Sequence, residues 1–332
     1  MLFASAPKRA LTILITGCTP GGIGAALATT LHDAGHHVFA TARDAAKLKP
    51  LADKGIMTLP LDISSSDSIA SAVALVSAAA ATGLDILVNN AAVSYSMPVA
   101  DISLDAARKL FDTNVWGQVA VTQAFLPLLL LRASSSSSDS SNAPRAWCLG
   151  GLCGGGQQQR QQPMIVNHTS VGSVMAMPFQ SVYNSSKAAF AMLSQALRME
   201  VAPFGIRVVE LKTGGVRTNI IANNNVNKGS AGGDGGKGSE ATATTSSPGT
   251  SSPPTWAGAL PAGSIYAPAR SVVEYAMSQE GLADRGITAE QWAREVAALL
   301  LSGSPRRSSG RGRARRWPGW GRCCPRGCSR GS

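Results

Sequence analysis

Leu11-Thr-Ile-Leu-Ile-Thr16-Gly17-Cys-Thr-Pro-Gly-Gly22-Ile23-Gly24-Ala-Ala-Leu27 decides the fold of this chain. An apolar, β-branched run feeds a glycine-rich turn, and an alanine-rich helical run follows it. Such a turn brings backbone N–H groups and a helix N-terminus to a pyrophosphate. A glycine pattern alone is a weak signal. The strand before it and the helix after it strengthen it.

Outward from that turn the chain alternates. The sequence predicts strands at residues 11–15, 38–41, 57–61, 85–89, 164–167 and 206–211, with helical runs at 23–34, 66–81, 104–131 and up to Val201. Strands that alternate with helices demand a parallel sheet, so the fold class is α/β. Residues 264–302 read as helical again. Two stretches break the order: 133–162, a serine run followed by glycines and glutamines, and 222–263, rich in Asn, Gly, Ser, Thr and Pro. Neither composition can bury a core, so both read as low-complexity inserts. Beyond Pro305 the composition jumps to Arg, Gly, Cys and Trp. The reading is a single domain over residues 8–302, interrupted by the two inserts, with a disordered tail at 303–332 that is either an appendage or gene-model sequence.

The net charge of +11 belongs to that tail. Nine of the 30 basic residues are arginines of residues 304–332, where there is no acid, so the rest carries 21 basic and 19 acidic residues. The body is nearly neutral and offers no convincing nucleic-acid site; an Arg-rich element binding nucleic acid is the rival use of the tail. The six cysteines form no disulfide framework, which points to a reducing, intracellular compartment. No zinc-like spacing appears, and no metal site is expected. His32, His36 and His37 read as surface or packing residues. No run reaches the ~18–20 apolar residues of a membrane span, and Phe125–Leu131 reads as a buried helix.

A second constellation lies downstream. Met164-Ile-Val-Asn-His-Thr-Ser170 is followed by Tyr183-Asn-Ser-Ser-Lys187-Ala-Ala-Phe. A tyrosine and a lysine four apart share one helix face. A phenol holds its proton to a pKa of about 10, and a fixed ammonium nearby favours the phenolate. A serine hydroxyl can bond the same reacting oxygen, as a carbonyl-to-alcohol reaction requires. Tyr-x-x-x-Lys alone is more often a solvated helix face; the glycine turn upstream is what changes the reading.

With Thr16-Gly17, Gly22 and Gly24, Asp62, Asn89-Asn90-Ala91, Asn114, Ser170, and Tyr183 with Lys187, residues 10–220 resemble the short-chain dehydrogenase/reductase family, in the family's order. A fungal subgroup similar to NADPH-dependent 1-acyldihydroxyacetone-phosphate reductases shares two of its departures: four residues between Gly17 and Gly22, and Thr213-Gly214 in place of a common Pro-Gly. Ala92 in place of a glycine is a third departure. The resemblance implies a Rossmann-type, doubly wound parallel sheet with helices on both faces, and NADPH as cofactor. It implies cofactor contacts from Gly17, Gly22, Ile23, Gly24, Asp62 against the adenine, Asn89, Lys187 on the nicotinamide ribose, and Thr218. It implies a catalytic set of Ser170, Tyr183 and Lys187, with Asn114 anchoring a water in the proton relay.

Arg43 follows the second strand, where an arginine can pair with a 2′-phosphate and select NADP. Asp44 beside it is a natural helix-start residue. The implied reaction is hydride transfer to a ketone, with 1-acyldihydroxyacetone phosphate as the lipid substrate. Another bulky ketone (steroid, retinoid or polyketide) is the alternative, and so is a non-catalytic NADP-binding regulator. Peripheral attachment to endoplasmic reticulum or lipid droplets, and a homo-oligomer, accompany this expectation.

Overall fold

In a computed structural model of the chain, residues 9–135, 162–218, 259–279, 281 and 285–302 are described. The bulk of both inserts and the 303–332 tail lie outside the described residues.

Strands β1 (Thr12–Ile15), β2 (His37–Ala42), β3 (Met57–Pro60), β4 (Ile86–Asn89), β5 (Met164–Ser170) and β6 (Arg207–Thr213) form a six-stranded sheet in the order β3-β2-β1-β4-β5-β6. Every neighbouring pair runs parallel. The helices are α1 (Ile23–Asp33), α2 (Lys49–Ala52), α3 (Ser66–Ala79), α4 (Leu104–Phe111), α5 (Gln118–Ser135), α6 (Ser181–Val201), α7 (Arg270–Ser278) and α8 (Ala289–Leu301). A small parallel pair, β7 (Val216–Arg217) with β8 (Ile287–Thr288), joins the segment after β6 to the start of α8. The alternation predicts a parallel α/β sheet, and its Rossmann-type order is the one that the family resemblance implies.

The unbroken apolar strands have a physical reason. Successive side chains of a strand point to opposite faces, and here both faces are covered. Ile13 and Ile15 pack with Leu27 and Leu31 of α1 and with Trp292 and Val296 of α8. Leu14, between them, packs with Val76 of α3 and with Phe125 and Leu129 of α5. Burying side chains of this size is worth about 1.5–3 kcal/mol each, so these two layers hold the sheet.

The helical run expected over residues 104–131 is present, as α4 and α5 joined by a π-turn at Asp112–Gly117. Three sequence expectations need correction. α5 runs on to Ser135, inside the expected insert. Leu260, inside the second low-complexity stretch, is buried with Tyr95, Met97, Val273 and Met277, because a lone apolar side chain there packs under α7. The helical run Leu104–Ser135 is long and apolar enough, by length and composition, to cross a membrane. Its residues Val121, Phe125, Leu128 and Leu129 are buried in the core beside α3 and the sheet, which marks it as a core helix.

Candidate active site

The C-terminal edge of the sheet carries the site. Parallel sheets bind ligands there, where the strand order reverses, and β1 with β4 is that switch point. A cleft of about 470 Å³ opens along this edge, from Arg43, Asp44 and Asp62 past Gly17 and Gly22 to Ser170, Tyr183 and Lys187.

The glycine turn is built for close approach. Gly17 (φ 74°) and Gly21 (φ 78°) adopt the left-handed conformation that favours glycine. A Cβ on Gly17 would stand 2.7 Å from the Ala91 Cα, and one on Gly24 would stand 2.5 Å from both Asn90 Nδ2 and the Gly17 carbonyl oxygen. Gly22 begins α1 without a side-chain cap, so the first-turn N–H groups face the cleft mouth unclaimed by a side chain. Thr16 Oγ1 accepts from the backbone N–H groups of Asn90 and Ala91 at 2.9 and 3.0 Å, which locks the turn after β4 to the turn after β1.

At the far end, Arg43 is exposed on the cleft wall. Asp44 is occupied elsewhere: its carboxylate accepts from Ala46 N at 3.0 Å and caps a short turn. Lys47, which the sequence reading passed over, lines the same wall. Its signal was its place four residues after Arg43. Asp62 lines the cleft while its carboxylate accepts from Ser64 N; Ser65, not Asp62, caps α3.

Asn89 is a correction. Its side chain is buried and donates to Thr122 Oγ1 and Asn167 Oδ1, both at 2.9 Å, so it does not line the cleft. Strand alternation turns Asn89 inward, and Asn90 next to it lines the cleft instead. Gly24 is likewise off the lining and serves the packing of α1. Ile23, Gly22 and the half-buried Thr218 line the cleft.

Tyr183, Lys187 and Ser170 converge. Ser170 Oγ accepts from Gly172 N at 3.1 Å, which leaves its hydroxyl proton to give, and it hydrogen-bonds the Tyr183 hydroxyl. Burial raises the Tyr183 pKa, and the Ser170 bond opposes that rise. The sequence reading expected the lysine to pull this pKa down. Here Lys187 Nζ stands 5.8 Å from the ring centroid and donates to the His168 carbonyl at 3.1 Å, so burial prevails. Burial also lowers the Lys187 pKa to about 8. Asn114 donates to the Val93 carbonyl at 2.9 Å and to Ser186 Oγ at 3.1 Å, and it accepts from Val93 N at 2.9 Å. Its amide is therefore spent on protein, off the cleft lining and inside the π-turn.

The profile of the family described as short chain dehydrogenase matches residues 11–138 and 157–229. This chain is a short-chain dehydrogenase. Its match leaves out residues 139–156, in the first insert. A short-chain dehydrogenase/reductase of Pestalotiopsis microspora is 41% identical over 294 residues, covering 89% of this chain and 81% of the relative. An NADPH-dependent 1-acyldihydroxyacetone phosphate reductase of Schizosaccharomyces pombe is 34% identical over 208 residues, 63% of this chain and 60% of the relative. The NADPH-bound carbonyl reductase from chicken fatty liver shares the fold with a TM-score of 0.54 and 26% identity, over 64% of this chain and 82% of that one. The short-chain dehydrogenase described here is an oxidoreductase for a nicotinamide cofactor. The glycine cradle, the uncapped start of α1 and the length of the cleft fit that group.

Proposed function

We propose that this chain reduces a ketone with NADPH, its proton coming from Tyr183. The observation that carries the reading is the convergence of Ser170, Tyr183 and Lys187 in a cleft that also holds the glycine turn and Arg43. Bound there, the reduced nicotinamide supplies hydride. Tyr183 keeps its proton at neutral pH, because burial raises its pKa, and so can donate it to the developing alkoxide. Ser170 directs its hydroxyl to the same oxygen. Lys187, mostly an ammonium at pH 7, adds positive charge beside the phenol. Asn114 holds the π-turn against Val93 and Ser186, so any water in the relay would meet backbone of that turn rather than the Asn114 amide. Arg43, with Lys47, offers positive charge to a 2′-phosphate.

For the substrate, the fission-yeast relative supports 1-acyldihydroxyacetone phosphate. A second reading, a bulky apolar ketone without phosphate, has its own support. Around Ser170 the described lining includes the uncharged Ala92, Val93, Gly214, Val216 and Thr218, and the cation there, Lys187, is already engaged beside Tyr183 and on the His168 carbonyl. The test is NADPH consumption by the purified chain, with 1-acyldihydroxyacetone phosphate and with apolar cyclic ketones. Turnover of the phosphate ester with a lower KM supports the first, the reverse supports the second, and no consumption with any ketone refutes both.

A further inference from the structure

Trp292, Thr213, His168 and Asn90 form one chain of hydrogen bonds whose direction can be read from end to end. Asn90 Nδ2 faces the carbonyl oxygens of Thr16 and Gly17 at 2.8 and 3.0 Å, so it is the donor end of that amide. Asn90 Oδ1, which only accepts, therefore faces His168 Nδ1 at 3.0 Å, and Nδ1 must carry the proton. In a neutral imidazole the other nitrogen is bare, so His168 Nε2 accepts from the Thr213 hydroxyl at 2.6 Å. Thr213 Oγ1 in turn accepts from Trp292 Nε1 at 3.2 Å, and an indole N–H can only donate. The carbonyl acceptors at the Asn90 end fix the direction, and the donor-only indole at the other end is consistent with it.

Neutrality is enforced by the surroundings. His168 is buried and packs against Trp292 with ring centroids 5.4 Å apart and planes tilted by 40°, and the Lys187 ammonium sits on the His168 backbone carbonyl. Burial, and secondarily Lys187, hold its pKa near 3.

The chain reaches across the sheet. Trp292 belongs to α8, Thr213 ends β6 and leads to the Gly214–Thr218 wall, and Asn90 begins the turn after β4. The imidazole on β5 bridges the two walls. We propose that His168, as its Nδ1–H tautomer, is a positioning residue that ties α8 to the glycine turn and sets the spacing of the two cleft walls for the cofactor. This rests on reading the cleft as a dinucleotide site.

The test begins with the full wild-type chain, its histidines ¹⁵N-labelled, by NMR from pH 5 to 9. The expected signature is a protonated Nδ1, a bare Nε2 and no titration. An Nε2–H tautomer, or titration in that range, overturns the proposal. NADPH affinity is then measured by fluorescence. His168→Leu is expected to raise the Kd about tenfold, the scale of a buried polar pair left unpaired. His168→Gln, which can donate to Asn90 and accept from Thr213, is expected to restore most of it. Equal loss in both, with both folded, refutes the positioning role. If His168→Leu fails to fold, Trp292→Phe decides: it removes the N–H together with part of the indole ring, and an unchanged Kd counts against the chain. A wild type that binds NADPH but reduces no ketone would sink the proposed reaction and leave these tests standing.

Discussion

Lys187→Met should make the cofactor-free protein more stable and its ketone reduction undetectable. Burial lowers the Lys187 pKa from 10.5 to about 8. One pKa unit is about 1.4 kcal/mol, so holding the charged form in the fold costs about 3 kcal/mol. Methionine fills similar space without that charge. It also forfeits the 3.1 Å bond to the His168 carbonyl, a loss of roughly 1–2 kcal/mol. The net expectation at pH 7 is a gain of about 1–2 kcal/mol, or roughly 2–6 °C in Tm. The pH dependence has a definite sign. Between about pH 8 and 10.5 the unfolded lysine is protonated and the folded one is not, so wild type gains stability as pH rises through that window. The variant has no such group, and its advantage should shrink and then reverse. Paired urea unfolding at pH 7, 8, 9 and 10 measures the difference directly, with other titrating groups cancelling. A stability difference that stays constant from pH 7 to 10 would show that the ammonium is not desolvated as described.

Further perturbations probe other parts. Arg43→Asp should reduce kcat/KM with NADPH about tenfold or more, while NADH is less affected, since a charge-assisted contact is worth about 1.5–3 kcal/mol; equal catalytic efficiencies with the two cofactors in wild type would contradict the role. Gly24→Ala should destabilise by about 1–3 kcal/mol, because its Cβ meets the Gly17 carbonyl at 2.5 Å; an unchanged urea midpoint would count against the tight turn. Replacing residues 139–156, which the family profile leaves out, by a short Gly-containing turn should leave folding and NADPH oxidation nearly intact, since each halving of loop length changes closure by only about 0.6 kcal/mol. Loss of activity with cofactor binding retained would make that insert part of the substrate site.

Much of this was legible in the sequence because local chemistry dictated it. The run Thr12–Ile15 into Gly17 and Gly22 could be little other than a strand, a tight turn and a helix, and Tyr183 with Lys187 needed only helical periodicity to share a face. What the residues could not reveal was long-range. Asn89 and Asn90 are identical in type, and only the pleat of β4 decides which one enters the core beside Thr122 and which one lines the cleft. His168 carried no local signal at all. Its partners Asn90, Thr213 and Trp292 lie 78, 45 and more than 100 residues away, and only strand order joins them. Thr213 was noticed as a departure from a common proline; the fold gives that departure a use, since its hydroxyl bonds both His168 and Trp292. The opposing pull on Tyr183 was hidden for the same reason. Spacing brings Lys187 near, but burial of the assembled cleft decides the direction of the pKa.

The most direct test follows a labelled hydride. The full chain is given NADPH deuterated at both C4 positions and a ketone that it consumes, and the alcohol is analysed by mass spectrometry. Wild type should place one deuterium on the carbinol carbon. Tyr183→Phe should bind NADPH with the same affinity and form that alcohol at least about a hundredfold more slowly, the scale of a lost general acid. Alcohol without deuterium, or a Tyr183→Phe rate within tenfold of wild type when chemistry is rate-limiting, would contradict the account.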